Sequence, residues 1–160
     1  MAKKGFEALL REGTRFLMAG DVQESLPLLL EAHERRPQHF QAALNLSGAL
    51  ILLKQFRRAV PLLEELSRQE PDNPTVWQNL GAAYLANPVL ADEESQLRAI
   101  GAFKRAIAIN PHAPNVAYNI ALVYRDRGDG EQAAHWFAQA LEADPDDEDA
   151  RRNLQRLHEK

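Results

Sequence analysis

Residues 74–84 read Pro74-Thr75-Val76-Trp77-Gln78-Asn79-Leu80-Gly81-Ala82-Ala83-Tyr84, and the same segment closes with Ala99, Phe103, Ala106 and Pro111. Bulky Trp77, Leu80 and Tyr84 flank the small Gly81 at spacings of three and four, the pattern of a helix with one packed face. Ala99, Phe103 and Ala106 keep those spacings and Pro111 ends the run, so the segment predicts two helices with a break between them. Small residues let the pair approach closely while large ones fill the remaining space.

The closing proline recurs on either side. Pro37, Pro71, Pro111 and Pro145 are separated by 34, 40 and 34 residues, and self-similarity at a fixed period marks a repeat architecture. With each closing proline set at position 32, the units begin at Phe6, Phe40, Pro74 and Pro114. Position 20 then holds Ser25, Ala59, Ala99 and Ala133; position 24 holds Leu29, Leu63, Phe103 and Phe137; position 27 holds Ala32, Leu66, Ala106 and Ala140. In the third unit these are counted back from Pro111, because six extra residues lie inside it.

Gly20-Asp21 and Gly128-Asp129-Gly130 break the apolar pattern midway through the first and fourth units. Asp21 followed by Glu24, and Asp129 followed by Gln132, predict N-caps for second helices. In the insertion, Asn87-Pro88 stops a first helix and Asp92, followed by Glu93 and Glu94, caps a lengthened second one. Val89 and Leu90 dock either on the repeats or on a partner. Pro27 and Pro61, both at position 22, fall inside second helices, where each removes a hydrogen bond and bends the helix without ending it.

A unit of 34 residues with a bulky residue at 4, Leu at 7, Gly at 8, Tyr at 11, Ala at 20, Phe at 24 and Pro at 32 resembles the tetratricopeptide repeat. The third unit matches it best. The fourth departs with Ala117 and Ala121 but keeps Ile120, Tyr124, Gly128, Ala133, Phe137 and Ala140. The second is looser, with Ala43, Ser47 and Leu50, and the first has Leu9, Glu12, Gly13 and Phe16. The resemblance implies an all-α, right-handed α-solenoid in a single domain, with repeats at about 6–39, 40–73, 74–113 and 114–147 and a capping helix at about 147–159. Asp146-Asp147-Glu148-Asp149 suits a helix N-terminus, and Ala150, Leu154 and Leu157 form the one-sided stripe a cap requires.

At 100° per residue, positions 4, 8 and 11 of a first helix meet the neighbouring helix and positions 2, 6, 9 and 13 point away. In this fold the outward stripe is expected to line a concave groove. It reads Glu7, Arg11, Thr14 and Met18; Gln41, Asn45, Gly48 and Leu52; Thr75, Asn79, Ala82 and Ala86; Asn115, Asn119, Leu122 and Asp126. Asparagine recurs at position 6 in Asn45, Asn79 and Asn119, joined by Asn153 if the terminal helix counts as a fifth unit. A carboxamide pairs with both N–H and C=O of a peptide backbone. The row resembles those by which peptide-holding members of the family grip extended chains, and it equally fits an asparagine the family carries whatever it binds. The expected groove set is Arg11, Gln41, Asn45, Leu52, Asn79, Asn119 and Leu122 from the stripe, together with Gln78, Tyr118 and Arg125 beside it. Family co-chaperones that clamp a C-terminal carboxylate need groove cations where this chain has Thr75 and Asn79, so no such clamp is expected.

Composition excludes other roles. In 160 residues, 19 Lys plus Arg against 23 Asp plus Glu leave a formal charge of −4, too acidic to recruit phosphate backbones, so nucleic acid is not an expected partner. Without cysteine there is no thiolate chemistry. His33, His39, His112, His135 and His158 lack metal-ligand spacing, no phosphate-binding loop is present, and the carboxylates are scattered. No cofactor, metal or enzymatic activity is expected. The longest uncharged apolar stretch, Leu44 to Leu53, is about half of what a membrane span needs, and the N-terminus carries no secretion-signal pattern, which predicts a cytoplasmic protein. The expected function is that of an adaptor holding a segment of a protein partner. The alternative is self-association into a homo-oligomer through the terminal helix, the insertion or Trp136, which lies either under the terminal helix or on the outer face.

Overall fold

The computed structural model describes residues 4–86 and 91–159. Among them the regular structure is entirely helical: α1 (Phe6–Ala19), α2 (Val22–Arg35), α3 (Phe40–Leu52), α4 (Phe56–Gln69), α5 (Pro74–Leu85), α6 (Glu93–Ile109), α7 (Val116–Asp126), α8 (Gly130–Ala143) and α9 (Glu148–His158). The chain divides into two compact units, Met1–Pro71 with α1 to α4 and Asp72–Lys160 with α5 to α9.

Turn chemistry explains the hairpins. In α1, α3 and α7 the residue at position 15 is left-handed: Gly20 (φ 85°), Lys54 (φ 58°) and Gly128 (φ 79°). At each, two amides turn back onto the helix end, as where Lys54 donates to the Ile51 carbonyl and Gln55 to that of Leu50. This double closure satisfies carbonyls that the helix leaves open. Glycine accepts a positive φ without steric conflict, whereas lysine at the same position carries strain. The third repeat has no such turn: α5 ends at Leu85 with Ala86 at φ 50° and ψ −97°. The expectations for Asn87, Pro88, Val89 and Leu90 fall outside the described residues.

Second helices start on caps of unequal quality. Asp129 accepts from the Gln132 amide at 3.1 Å and Asp92 from that of Ser95 at 2.7 Å. Asp21 makes no side-chain cap, contrary to expectation, and its ψ of 63° falls short of the 81° and 169° at the two bonded aspartates. Asp92 opens a helix of 17 residues, against 14 for α2, α4 and α8, with Glu93 and Glu94 in its first turn. Both α2 and α4 continue through Pro27 and Pro61 without a break. The first helix of the fourth repeat starts at Val116 instead of Pro114, because Asn115 is left-handed at φ 61°.

The core follows the repeat positions. Every residue at positions 20, 24 and 27 is buried in all four repeats. Position 8 packs on position 24 within a hairpin: a methyl built on Gly81 would lie 2.6 Å from the Phe103 ring, and one on Gly13 2.9 Å from Leu29. Ser25, which replaces alanine at position 20, is fully buried and donates to the Gly13 carbonyl at 2.8 Å, so its hydroxyl is satisfied. In the second unit α9 completes the core with Ala150, while Leu154 and Leu157 pack against it. Trp136 is also in this core, 9% exposed, with the Lys104 ammonium 5.7 Å from its ring centroid. It therefore packs on the α6 side of α8 and is not an exposed contact.

Candidate functional site

Helix periodicity sorts the first helices into two faces. No residue at positions 4, 8 or 11 is exposed, and none at positions 2, 6, 9 or 13 is buried. The outward stripe carries two large apolar side chains in water, Met18 (84% exposed) and Leu52 (60%). Both occupy position 13, at the C-terminal ends of α1 and α3 in the first unit.

The expected site residues fall into two groups. In the first unit, exposed Gln41 donates to the Asn45 carboxamide oxygen at 2.7 Å. Asn45 donates to the Thr14 hydroxyl, also at 2.7 Å, and the Thr14 hydroxyl in turn donates to the Leu10 carbonyl. This relay ties α3 to α1. It leaves Asn45 one N–H and one lone pair for anything else. Arg11, exposed, lies on a shallow depression with Lys4, Ala8 and Arg15.

In the second unit, Gln78 donates to the Pro114 carbonyl at 3.2 Å and so bridges consecutive repeats. Arg125 donates to the Asp126 carboxylate and, at 2.9 Å, to Asn153. Asn45 and Asn153 thus both bond the preceding first helix, a structural use of position 6. Asn79 and Asn119 are half-buried and have no side-chain hydrogen bond among the described residues. The cause for Asn119 is visible in the repeat: Ala82 stands where Thr14 receives Asn45, so the hydroxyl is missing.

Asn119, Leu122 and Arg125 meet at a cavity of about 240 Å³, completed by Leu85, Val123, Asp126 and Gln96. Gln96 was not expected here. It stands three residues before Ala99, the place that Val22, Phe56 and Gly130 take at the starts of α2, α4 and α8, so counting back from position 20 of the repeat was the signal in the sequence that could have located it. Its side-chain oxygen accepts from Arg127 at 3.1 Å. Tyr118 contributes to a second cavity, of about 290 Å³, with Asn115, Asp144 and Asp147. Its ring meets Phe137 edge-on with centroids 5.6 Å apart. Burial first, then the nearby carboxylates of Asp149 and Asp147, push the phenol above the usual tyrosine range, so it remains a neutral donor in mildly alkaline solution. Among the described residues no group of three or more His, Cys, Asp or Glu is placed to hold a metal ion, and no helix is long and apolar enough to cross a membrane.

Helical hairpins whose second helices are buried at fixed positions and whose first helices leave one stripe open define a class, that of all-α solenoid repeat proteins. The tetratricopeptide repeat model matches residues 16–84 and 91–157, and the chain belongs to that family. The general transcriptional corepressor ssn6 of Schizosaccharomyces pombe is 27% identical over 127 residues, which is 78% of this chain and 11% of that protein. The chain thus spans about a tenth of the length of this relative. Among solved structures, MamA (41-end) from Desulfovibrio magneticus RS-1 superposes with a TM-score of 0.78 at 23% identity, covering 90% of this chain and 78% of that one. The thermophilic tetratricopeptide protein TTC0263 of Thermus thermophilus does so with 0.77 at 24% identity, covering 96% and 81%. These likenesses show the shared fold. The tetratricopeptide fold supports a scaffold for protein–protein interaction, and the family is generally non-enzymatic.

Proposed function

We propose that the protein is an adaptor that holds a peptide segment of a partner protein on the stripe formed by positions 2, 6, 9 and 13 of its first helices. The observation that carries this reading is the exposure of Met18 and Leu52 at equivalent places on neighbouring helices. Water-exposed apolar side chains gathered on one face gain from being covered by a partner. Asn79 and Asn119 supply carboxamides for a partner's backbone, and Asn45 adds its one remaining N–H and lone pair.

The test is capture of protein partners by the native chain and by a Met18→Glu, Leu52→Glu variant. Both side chains stand in water, so this variant keeps its helical circular dichroism, with stability changed by no more than about 0.5 kcal/mol per site. A partner held by the native chain and lost by the variant supports the stripe; equal recovery overturns it. An Asn79→Ala, Asn119→Ala variant then reports the carboxamides separately.

A second reading is self-association, favoured by Leu97, 52% exposed on α6 and off the stripe. It predicts a molar mass that rises with concentration in light scattering and falls to that of a monomer in Leu97→Lys.

A further inference from the structure

The two cavities beside α7 differ in chemistry in a way that specifies an occupant; the argument rests on the stripe reading and narrows it. The cavity at Asn119 has apolar walls from Leu85, Leu122 and Val123. Its volume of about 240 Å³ lies below the roughly 300 to 1,000 Å³ of small-molecule and cofactor sites, and suits a single side chain. Its charged groups, Arg125 and Asp126, are paired with each other at 2.8 Å, so it offers no uncompensated charge and favours a neutral guest. The Asn119 carboxamide at its edge has donors and an acceptor free for the guest's own backbone.

The cavity at Tyr118 has the opposite character. Asp144 and Asp147 each accept a backbone amide, from Asp146 and Ala150, and neither forms an ion pair among the described residues. The cations in the neighbourhood are committed: Arg152 to Asp149, Arg151 to the Pro145 carbonyl, Arg125 to Asp126 and Asn153. His112 is the remaining basic residue of the lining. Residues 72–160 as a whole carry nine Lys or Arg against 14 Asp or Glu, a formal charge of −5, whereas residues 1–71 carry ten against nine. The unit that holds both cavities is therefore the acidic one, and its complement is a cation.

The cavities lie toward opposite ends of α7 and on its two sides, Asn115 and Tyr118 marking one and Leu122 and Asp126 the other. That is about 10 Å along the axis and about 8–10 Å across, a span of about four residues of extended chain. The geometry points to an extended peptide that seats a leucine-class side chain in the Asn119 cavity and a lysine or arginine, about four residues away, in the Tyr118 cavity.

The experiment titrates the full chain, labelled for amide NMR, with three synthetic peptides blocked at both ends. One carries leucine and lysine at the derived spacing in an alanine and serine background; the second replaces the leucine by alanine; the third replaces the lysine by glutamate. The inference expects the first to move the amides of Leu85, Asn119, Leu122 and Tyr118. The alanine peptide should bind about tenfold more weakly or worse, and the glutamate peptide should lose affinity most at low salt. Asp144→Asn with Asp147→Asn should remove the preference for lysine while leaving that for leucine. Equal binding of the leucine and alanine peptides, shifts confined to other helices, or no binding of any peptide would overturn the inference. None of these results touches the stripe reading, which stands or falls on capture by Met18→Glu, Leu52→Glu in the other unit.

Discussion

Lys54 and Gly81 show how two single residues set local strain in opposite ways. Lys54 holds φ 58° at the turn where Gly20 and Gly128 stand in sister repeats. A left-handed L-residue costs roughly 1–2 kcal/mol, and glycine returns part of that through the entropy of the unfolded chain. Lys54→Gly is therefore expected to raise stability, by up to about 1 kcal/mol, in chemical denaturation. At Gly81 the space is already filled by Phe103, 2.6 Å from any added methyl. Gly81→Ala should cost about 1–3 kcal/mol by overpacking, and Phe103→Leu in the same chain should recover part of it. Such partial rescue is the sign of direct coupling. The sequence showed Gly81 plainly, since a small residue at position 8 belongs to the repeat. Lys54 was silent, because lysine gives no turn signal and the backbone there is dictated by the packing of α3 against α4.

Among the elements, α6 owes its extra turn to one carboxylate. Hydrogen bonds from the Ser95 amide first and the Ser95 hydroxyl second hold Asp92 below the usual aspartate range, against a smaller opposing effect of burial. A depressed folded pKa means the cap stabilises the helix above the unfolded value and ceases to do so as pH falls through the folded one. Protection of the Ser95 amide, the slowing of its exchange relative to that of an unstructured peptide at the same pH, should fall as the pH drops below about 4, and Asp92→Asn, which keeps the acceptor without the titration, should flatten that response. In α2 the interior Pro27 lacks an N–H for the Gln23 carbonyl. Pro27→Ala is expected to stabilise the first unit by up to about 3 kcal/mol, read as a rise in Tm. Nearly every helix was legible from periodicity and prolines. The late start of α7 was not, because the left-handed Asn115 follows a proline that elsewhere, at Pro74, opens a helix. The candidate site was legible as a stripe, yet which asparagines remain open depended on whether the preceding repeat offers Thr14 or Ala82. Pairing between repeats is a property of the fold and has no local signature in sequence.

At the scale of the molecule, the division into an evenly charged unit and an acidic one separates two kinds of surface. The first offers bare apolar tips at Met18 and Leu52, insensitive to salt. The second offers carboxylates whose pull on a partner is screened as ionic strength rises. A partner that engages both should keep a residual affinity at high salt, and Met18→Glu, Leu52→Glu should abolish that residue while leaving the salt-sensitive part. The placement of the indoles has a further consequence. The chain has two tryptophans, Trp77 on α5 and Trp136 on α8, so its intrinsic ultraviolet emission originates in the second unit alone, whereas far-ultraviolet ellipticity sums over every helix. Heating the unlabelled protein while recording both signals subtracts one half of the molecule from the whole, and what remains is the melting of the tryptophan-free half seen in its native context.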